Sequence, residues 1–545
     1  MSNETVTISR EDYENLLKAN AELSQQVKDL TEAIALLRKQ RFGSSSEKNK
    51  VDGGEQLSFL FNEAEVYADT AGSADVKEPD LTTVKEYKRS KKRLVNSADL
   101  PEDVEIEPVY KRLEGDDLKC PNCGEEMEQI GEDVVRRLKL IPAKAVIEET
   151  HIFTYACKKC TVDDENTVIV STKADPPVIP GSNAAPEAIA FLADAKFVAY
   201  TPLYRMEQIL ERRGIPLSRQ TMSNWLLRAC ELWLEPIWDL MKVFLLEEDI
   251  LHADETTLQV LHEQNRKAQT KSYMWLYRTG RYASEQLVLY EYQETRGAEH
   301  PESFLLGYKG FLHTDGYAGY HKLSDSIRVV GCLAHARRKF VEALEALKEE
   351  DRKDTPQERG VQYFDALFAL EEKWHDLDPD MRKKMRTEYA KPILDELYNW
   401  VFHLNASTKS LLGKAAHYVR SQWQWLVGYL EDGRLEISNN RAERSIKPFV
   451  MSRKNFLFAN TPSGAKASAI YFSLIETAKE NGLDPYRYLT WVLRTAPTLN
   501  MNDCDQVEKL MPINAPDTCR PGKQEPVSVN TYSTSQHIQR DPKIS

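Results

Sequence analysis

The segment from Ile250 to Cys332 decides the fold, because it contains five short apolar runs: ILHAD (250–254), SYMWLYR (272–278), QLVLYEY (286–292), GFLHTD (310–315) and IRVVGC (327–332). Each run is rich in β-branched or aromatic side chains and is short enough to be a strand. A short helix is predicted near residues 301–306, between the third and fourth runs. The order is therefore three strands, a helix, a strand, a helix and a strand.

That order matches a ribonuclease-H-like topology, and two of the predicted strands carry a carboxylate near their ends. Asp254 lies on the first strand, and Asp315 lies at the end of the fourth. A third candidate, Glu443, lies far downstream in ISNNRAERSIKP (437–448), where Asn439 or Asn440 is expected to cap a helix that stops near Pro448.

Three carboxylates at one point need a cation. Two like charges 4 Å apart repel by about 4 kcal/mol at an effective dielectric constant of 20. Magnesium prefers oxygen ligands and keeps positions open for phosphate and water. The residues thus predict two Mg²⁺ ions held by Asp254, Asp315 and Glu443, and phosphodiester chemistry. The alternative from the residues alone is that these are ordinary surface or capping carboxylates.

The charge around Glu443 favours a nucleic-acid partner, although the 545-residue chain carries a net charge of −13. Residues 434–466 contain seven Lys or Arg against two Glu. Such a basic strip can hold phosphates on an acidic protein. The complete set of predicted DNA-binding residues is Arg219, Gln220, Asn224, Arg337, Arg338, Arg441, Arg444, Lys447, Arg453 and Lys454.

The N-terminal region has an unbroken heptad pattern. Tyr13, Asn20, Val27 and Ile34 occupy one apolar position of the repeat, and Leu16, Leu23, Leu30 and Leu37 occupy the other. This pattern predicts a parallel coiled-coil dimer, in which Asn20 fixes the register. The alternative is a helix packed against its own protein. Residues 49–95 follow as a polar linker that ends in the basic run KEYKRSKKR (85–93).

Four of the eight cysteines form two Cys-x-x-Cys pairs, Cys120 with Cys123 and Cys157 with Cys160, separated by 33 residues. Paired thiolates at this spacing are typical of a tetrahedral zinc site. Four thiolates leave no open position, so the predicted Zn²⁺ ion is structural. The alternative is four core thiols without metal.

A helical region between the zinc module and the strands predicts a helix-turn-helix. One helix begins at Pro202, Gly214 ends it, and Ser218 caps a second helix. Arg219, Gln220 and Asn224 would then face DNA. Many ordinary helical hairpins share this pattern, so a purely structural pair is the alternative.

Taken together, these motifs resemble those of the insertion-sequence-66 family of transposases. The resemblance covers almost the whole chain and rests on RFG (41–43), the paired cysteines, HADET (252–256), TDGYAGY (314–320), GCLAHARRKF (331–340), NNRAERSIKP (439–448), SRKNFLFA (452–459) and SLIETAKENGLDP (473–485). Ser438 departs from the family, which usually has an Asp before the Asn pair, and MPIN (511–514) replaces a more aromatic ending.

The resemblance implies that Asp254, Asp315 and Glu443 are the catalytic acids of a DDE transposase, which cleaves and joins DNA. It also implies element-end and target DNA as partners, a homodimer or larger synaptic complex, and accessory proteins of the same element. A DNA-binding protein without activity and a nuclease of the same fold are the alternatives. Cys332 and His335 resemble a further ligand pair, but we interpret Cys332 as a core residue and His335 as a helix residue near the site.

The expected fold class is multidomain α/β, with a ribonuclease-H-like core interrupted by a helical insertion. The expected segments are a coiled coil (1–48), a linker (49–95), a zinc module (96–175), a helix-turn-helix-like region (176–245), the first part of the core (246–340), the insertion (341–430), core completion (431–500) and a tail (501–545). We expect a cytoplasmic, nucleoid-associated bacterial protein, because no membrane span or signal peptide is evident.

The zinc interpretation gives a first prediction. The purified chain should hold about one tightly bound zinc per polypeptide, as expected for a four-thiolate site. Replacing Cys120 and Cys157 with serine should remove it, as measured by elemental analysis after dialysis. Full zinc content in that double variant would contradict the assignment.

The heptad gives a second prediction. Deleting residues 1–40 should convert a dimer into a species of half the mass, because the seam that joins the chains is lost. The mass in solution is measured by light scattering. An unchanged mass would show that another surface joins the chains.

Overall fold

The computed structural model describes residues 145–156, 169–171 and 175–522, together with scattered positions between Ser9 and Thr31. The four cysteines of the predicted zinc module, most of the heptad, the linker and residues 523–545 lie outside the described residues. Among the heptad positions that are described, Tyr13, Leu23 and Val27 are exposed in the single chain.

The strands are β1 (Thr154–Ala156), β2 (Ile169–Ser171), β3 (Ile250–Gln259), β4 (Lys271–Thr279), β5 (Val288–Gln293), β6 (Gly310–His313) and β7 (Ile327–Val330). The helices whose bounds the structure gives are α1 (Pro186–Phe197), α2 (Leu203–Glu211), α3 (Arg219–Ala229), α4 (Glu235–Glu247), α5 (Glu299–Phe304), α6 (Leu333–Glu345), α7 (Pro356–Lys373), α8 (Pro379–Met385), α9 (Lys391–His403), α10 (Leu411–Leu426), α11 (Asn440–Phe456), α12 (Pro462–Glu480), α13 (Pro485–Thr495) and α14 (Cys504–Glu508).

The described residues divide into two compact units. One contains the described positions between Ser9 and Thr31 together with residues 234–477, and the other contains the described residues from 145 to 233 together with 478–522. The predicted boundary at residue 500 does not coincide with this division, because α13 packs against α1 and buries Tyr488, Leu489 and Val492. Apolar burial, rather than sequence order, places residues 478–522 in the second unit.

The first unit is built on a five-stranded mixed sheet with the order β5-β4-β3-β6-β7. Strands β3, β4 and β5 are antiparallel, whereas β6 and β7 run parallel to β3. The five predicted strands and the helix before the fourth strand are confirmed. The sequence of β4 is nearly continuously apolar because this strand lies inside the sheet, and Trp275 and Tyr277 are fully buried.

The outer edge of β5 is closed by hydroxyl groups of α12. The backbone N–H of Val288 donates to Oγ1 of Thr477 over 3.0 Å, and that of Tyr290 donates to Oγ of Ser473 over 2.8 Å. An unpaired strand edge invites pairing with another chain. Side chains of α12 therefore satisfy backbone groups that would otherwise be exposed at this edge.

Residues 341–430, the predicted helical insertion, are largely helical. Helices α6, α7, α9 and α10 share a core in which Phe340, Phe364, Leu394 and Val419 are buried. The side chain of Arg386 is fully buried in this unit. It pairs with Glu371 at 2.7 Å and donates to the backbone carbonyls of Tyr429, Asp432 and Leu435. The insertion thus fixes the chain that leads toward Glu443.

Asn439 then attaches this chain to the sheet. Its Nδ2 donates to the carbonyl of Ala253 over 2.8 Å, so its Oδ1, which lies 2.9 Å from Nδ1 of His252, must accept from that ring. Its backbone N–H donates to Sγ of Cys332 over 3.2 Å. Asn439 occupies the N-cap position of α11, but its side chain makes no capping bond. The amide that we expected to cap the helix instead binds strand β3.

The expectation that this helix stops near Pro448 is wrong, because α11 continues to Phe456. Proline has no N–H to donate to the carbonyl four residues earlier, which usually breaks a helix. Phe449 and Ser452 on the far side of Pro448 are buried. Packing against β3 and β4 therefore outweighs the lost hydrogen bond.

In the second unit, α2 and α3 confirm the predicted helical pair. Oγ of Ser218 accepts from the backbone N–H of Thr221 over 3.1 Å, as expected of an N-cap. Gly214 has φ +77°, a conformation that favours glycine. No helix among the described residues is both long enough and apolar enough to cross a membrane.

The Asn439 contacts give a third prediction. Asn439→Ala should lower the free energy of unfolding of this unit by about 2 kcal/mol or more, because buried hydrogen-bonding groups of His252 and Ala253 lose their partner. The shift of the urea midpoint, monitored by tryptophan fluorescence, measures the loss.

Asn440→Ala is the matched control, since Asn440 is the adjacent residue of the same type and is exposed. It should change the free energy of unfolding by less than about 0.5 kcal/mol, as is usual for surface substitutions. Equal effects of the two substitutions would show that the buried contacts do not stabilise the unit.

Candidate metal centre

Asp254 and Asp315 occupy equivalent positions on two neighbouring parallel strands. His252 of β3 pairs in register with His313 of β6, and each aspartate lies two residues beyond its histidine. Parallel strands lie about 4.8 Å apart. The pairing therefore places both aspartates at the same edge of the sheet.

Backbone amides orient both carboxylates. The N–H of Glu255 donates to Oδ1 of Asp254 over 2.8 Å, and the N–H of Tyr317 donates to Oδ1 of Asp315 over 2.8 Å. Burial raises the pKa of Asp254 well above its ordinary value, and the negative charges of Glu255, Asp315 and Glu443 raise it further. The charges of Asp315 and Glu443 thus both act on Asp254. We call these three predicted acids the acid cluster.

Glu443 lies in the first turn of α11 and retains about a quarter of its side-chain exposure. Its Oε1 is 3.7 Å from Nδ1 of His335, and its Oε2 is 3.6 Å from the guanidinium of Arg338. Neither Oε1 nor that Nδ1 has a hydrogen-bond partner among the described residues, although both atoms are buried. Buried polar atoms without partners are rare and indicate a group that the protein would bind.

Two stacked histidines, each two residues before one of the acids, lie next to the acid cluster. The rings of His252 and His313 are parallel, with centroids 5.1 Å apart. Burial, reinforced by the neighbouring His252, lowers the pKa of His313 to about 3, so this ring is neutral. Its Nε2 donates to the backbone carbonyl of Glu436 over 2.8 Å.

The carboxylate of Glu436 completes this support, at 3.1 Å from Nε2 of His252 and 3.0 Å from Nε of Arg441. Burial alone would raise the pKa of Glu436, but its contacts with His252 and Arg441 hold it well below its ordinary value. Sequence reasoning missed these supporting residues. The only local signal was that both histidines stand two residues before a predicted acid.

Glu255, next to Asp254, is a fourth acid that sequence reasoning did not consider. Its side chain is almost completely buried, and it accepts from Nε of Arg296 over 2.8 Å and from the hydroxyl of Tyr320 over 2.7 Å. Burial and the charge of Asp315 raise the pKa of Glu255 above its ordinary value, although the bonds from Tyr320 and Arg296 offset part of this shift. Glu255 is therefore already paired, unlike Oε1 of Glu443.

The helical insertion contributes Tyr418 to this edge of the sheet. A Cβ atom at Gly316 would lie 2.6 Å from the Tyr418 hydroxyl, so a larger residue beside Asp315 would require the Tyr418 ring to shift. Burial raises the pKa of Tyr418, and Cys332 and Asp315 add to this effect. The insertion thus reaches the acid cluster itself.

The predicted basic residues separate into two groups. Arg444, Lys447 and Lys454 are exposed on α11, and their spacing places them on one helix face together with Glu443. The other two basic residues of this helix point to internal partners, since Arg441 pairs with Glu436 and Arg453 donates to Oγ1 of Thr257 over 2.8 Å. Arg444, Lys447 and Lys454 are therefore the part of the predicted strip on this helix that faces solvent.

The remaining predicted DNA-binding residues lie on other helices. Arg337 on α6 pairs with Asp365 at 2.6 Å, and Arg338 lies beside Glu443. In the second unit, Arg219, Gln220 and Asn224 are all exposed at the start of α3.

The donor set of the acid cluster fits a hard divalent cation. Carboxylate oxygens are the protein ligands that Mg²⁺ prefers, and the unpartnered Oε1 of Glu443 offers one. Three neighbouring carboxylates that raise the pKa of Asp254 would be stabilised by positive charge. Among the described residues, however, the ligand atoms found within 4.8 Å of one another are those of Cys332, His335 and Glu443, not those of the three acids. A metal centre at the acid cluster therefore stays a prediction.

Comparison with known families now adds to these observations. Residues 181–467 match the transposase IS66 family, residues 473–513 match the IS66 C-terminal element, and residues 117–161 match the zinc-finger binding domain of transposase IS66. Residues 29–104 match the family described as transposase C of IS166 homeodomain. The zinc-finger match contains all four cysteines of the two pairs and supports zinc binding.

Relatives from Sinorhizobium fredii align with most of the chain. The uncharacterized protein y4jD is 29% identical over 92% of this chain and 97% of its own length. The uncharacterized protein y4hP is 30% identical over 72% of this chain and 72% of its own length. The family match spans more than half of the sequence and includes all three acids. This chain therefore belongs to the IS66 family of transposases.

Proposed function

We propose that this protein is a DDE transposase that cuts the ends of an insertion sequence and joins them to target DNA, with Asp254, Asp315 and Glu443 as its catalytic acids. Family membership supports the transposase role. The observation that carries the catalytic assignment is the in-register pairing of β3 with β6, which brings Asp254 and Asp315 to the same edge of the sheet, while the bond from Asn439 to Ala253 holds the first turn of α11 beside β3.

The strand order supports a ribonuclease-H-like core. Three antiparallel strands are followed by two strands parallel to the first, so β3 lies at the centre of the sheet. The acids lie on this central strand, at the end of the adjacent β6 and on α11, which packs across β3 and β4. This arrangement brings residues distant in sequence to one edge of the sheet.

Two Mg²⁺ ions would be held by Asp254, Asp315 and Glu443. When bound, such ions polarise a phosphodiester and favour both attack by an oxygen nucleophile and departure of the leaving oxygen. The protein itself orients Asp254 and Asp315 through backbone amides. It positions Glu443 through Asn439, which joins the first turn of α11 to β3.

The exposed basic face of α11 would hold the DNA strand. Arg444, Lys447 and Lys454 lie on the same face as Glu443, so their charges can position a phosphate beside the acid. Arg338, which lies 3.6 Å from Glu443, adds positive charge at the cluster. In the second unit, the exposed Arg219, Gln220 and Asn224 are proposed to contact element-end DNA.

The proposed assembly follows from the same reaction. The protein is proposed to act on the two element ends as a dimer or larger complex, and the N-terminal heptad is the segment proposed to join the chains. Accessory proteins of the same element are proposed as further partners, and the bacterial nucleoid as the place of action.

Activity gives a fourth prediction. Asp254→Asn should reduce Mg²⁺-dependent cleavage and strand transfer of element-end DNA by at least about a hundredfold, since loss of one metal ligand removes several kcal/mol of stabilisation. Asp325→Asn is the matched control, because Asp325 is exposed in the loop before β7. Gel analysis of labelled DNA measures both steps.

Three outcomes would reject parts of this proposal. Full activity of Asp254→Asn would remove Asp254 from the catalytic site. Cut DNA ends that are never joined to target DNA would identify a nuclease, and absence of both products with accessory proteins present would indicate a DNA-binding protein without activity.

Stability gives a fifth prediction, with a readout that does not need activity. Without divalent ions, Asp254→Asn should unfold at a higher temperature than the wild-type protein, because it removes a buried carboxylate whose charged form is disfavoured. Adding Mg²⁺ should stabilise the wild-type protein more than the variant. A variant that is less stable without metal and equally stabilised by Mg²⁺ would argue against a metal-binding acid cluster.

A further inference from the structure

Three residues of different chemistry meet next to the acid cluster. Cys332 follows β7, His335 lies in the first turn of α6, and Glu443 lies in the first turn of α11. One thiol sulfur, one imidazole nitrogen and one carboxylate oxygen from these side chains all lie within 4.8 Å of one another. Cys332 and His335 are close in the sequence, but Glu443 lies more than 100 residues further along the chain, so only the fold brings it to the other two.

Two of these ligand atoms have no partner. Nδ1 of His335 and Oε1 of Glu443 face each other at 3.7 Å, which is too far for a hydrogen bond, and both are buried. A cation between them would satisfy both atoms at once. This observation is independent of the proximity of the cysteine and points to a bound ion.

The third ligand is placed where its anionic form is supported. Sγ of Cys332 accepts the backbone N–H of Asn439 over 3.2 Å, and it lies at the N-terminus of α6, where the helix dipole favours negative charge. Burial nevertheless raises the pKa of this thiol to about 11. A metal ion that binds here must therefore displace the thiol proton to solvent, as metals do at other cysteine sites.

The geometry points to a Zn²⁺ site formed by Cys332, His335 and Glu443, distinct from the four-cysteine module. A thiolate and an imidazole favour zinc over magnesium, and three protein ligands leave a fourth position open. The site takes Glu443 away from the acid cluster, so zinc and the Mg²⁺ centre compete for one carboxylate. Only the competition with Mg²⁺ rests on the proposed function, because zinc binding itself does not depend on catalysis.

Arg338 lies next to the carboxylate for which the two metals would compete. Its guanidinium lies 3.6 Å from Oε2 of Glu443, whereas the proposed zinc ligand is Oε1. Oε2 of Glu443 thus faces Arg338, whereas Oε1 faces the other two proposed zinc ligands. We expect the site to bind zinc more weakly than four thiolates do, because a fixed positive charge is close to it.

Binding is tested with the full-length protein and the metal alone. Titration with Zn²⁺ against a chelating indicator should show a tight first equivalent and a weaker second one. Replacing zinc with Co²⁺ should add a sulfur-to-cobalt absorption band with the second equivalent. Cys332→Ser, which keeps an acceptor for Asn439, should lose the second equivalent and its band while retaining the first.

Two further variants keep the test decisive. His335→Ala should weaken the second equivalent by about tenfold or more, since one of three ligands is lost. Cys504→Ser is the matched control, because Cys504 is an exposed free cysteine outside the site, and it should retain both equivalents. A second equivalent that persists unchanged in both Cys332→Ser and His335→Ala would overturn the site.

Inhibition tests the competition for Glu443. Zn²⁺ should inhibit Mg²⁺-dependent DNA cleavage by the wild-type protein, and inhibition of Cys332→Ser, relative to its own rate without zinc, should need about tenfold more zinc. Equal sensitivity would reject the shared carboxylate. A wild-type protein that binds the second zinc but has no Mg²⁺-dependent activity would contradict the proposed function while leaving the zinc site intact.

Discussion

The bond between the side chain of Asn439 and the backbone of Ala253 is the contact on which the site depends. It joins the start of α11 to the residue before Asp254, across 186 positions of sequence. The same amide accepts from His252, and the backbone N–H of Asn439 reaches Cys332 after β7. A buried amide whose donor and acceptor are both used fixes one orientation, because any rotation would leave polar groups unsatisfied. Glu443 therefore enters the site at a defined position.

The helical insertion holds the other end of the same segment. Buried Arg386 binds three backbone carbonyls between Tyr429 and Leu435, and its charge is balanced by Glu371. A buried arginine is costly unless its donors are used, so the loop must adopt the path that supplies these carbonyls. The insertion also places Tyr418 beside Gly316. It is thus part of the machinery that positions the acids, as well as a separate helical core.

Charge explains why an acidic protein can present a site for DNA. The acid cluster is unfavourable by itself, as the raised pKa of Asp254 shows. The surrounding basic residues do not all relieve it, since Arg441 is bound to Glu436 and Arg453 to Thr257. The exposed Arg444, Lys447 and Lys454 remain on the face of α11 that also carries Glu443. The acid proposed to bind metal and the basic side chains proposed to bind phosphate therefore lie side by side on a single helix.

The sequence by itself determined the five strands and the helical character of residues 341–430, because apolar runs and their periodicity are local features. It also offered Asp254 and Asp315 as acids at strand ends, but only the family resemblance selected them as catalytic. It did not determine that α11 passes Pro448, since packing of Phe449 decides this against local propensity. Nor did it predict that Asn439 binds a strand instead of capping its helix, or that Glu255 is paired while Glu443 is not. Hydrogen bonds between distant segments leave no pattern in the chain. Only the tertiary structure, which brings Cys332, His335 and Glu443 within 4.8 Å, decides which side chains share a site.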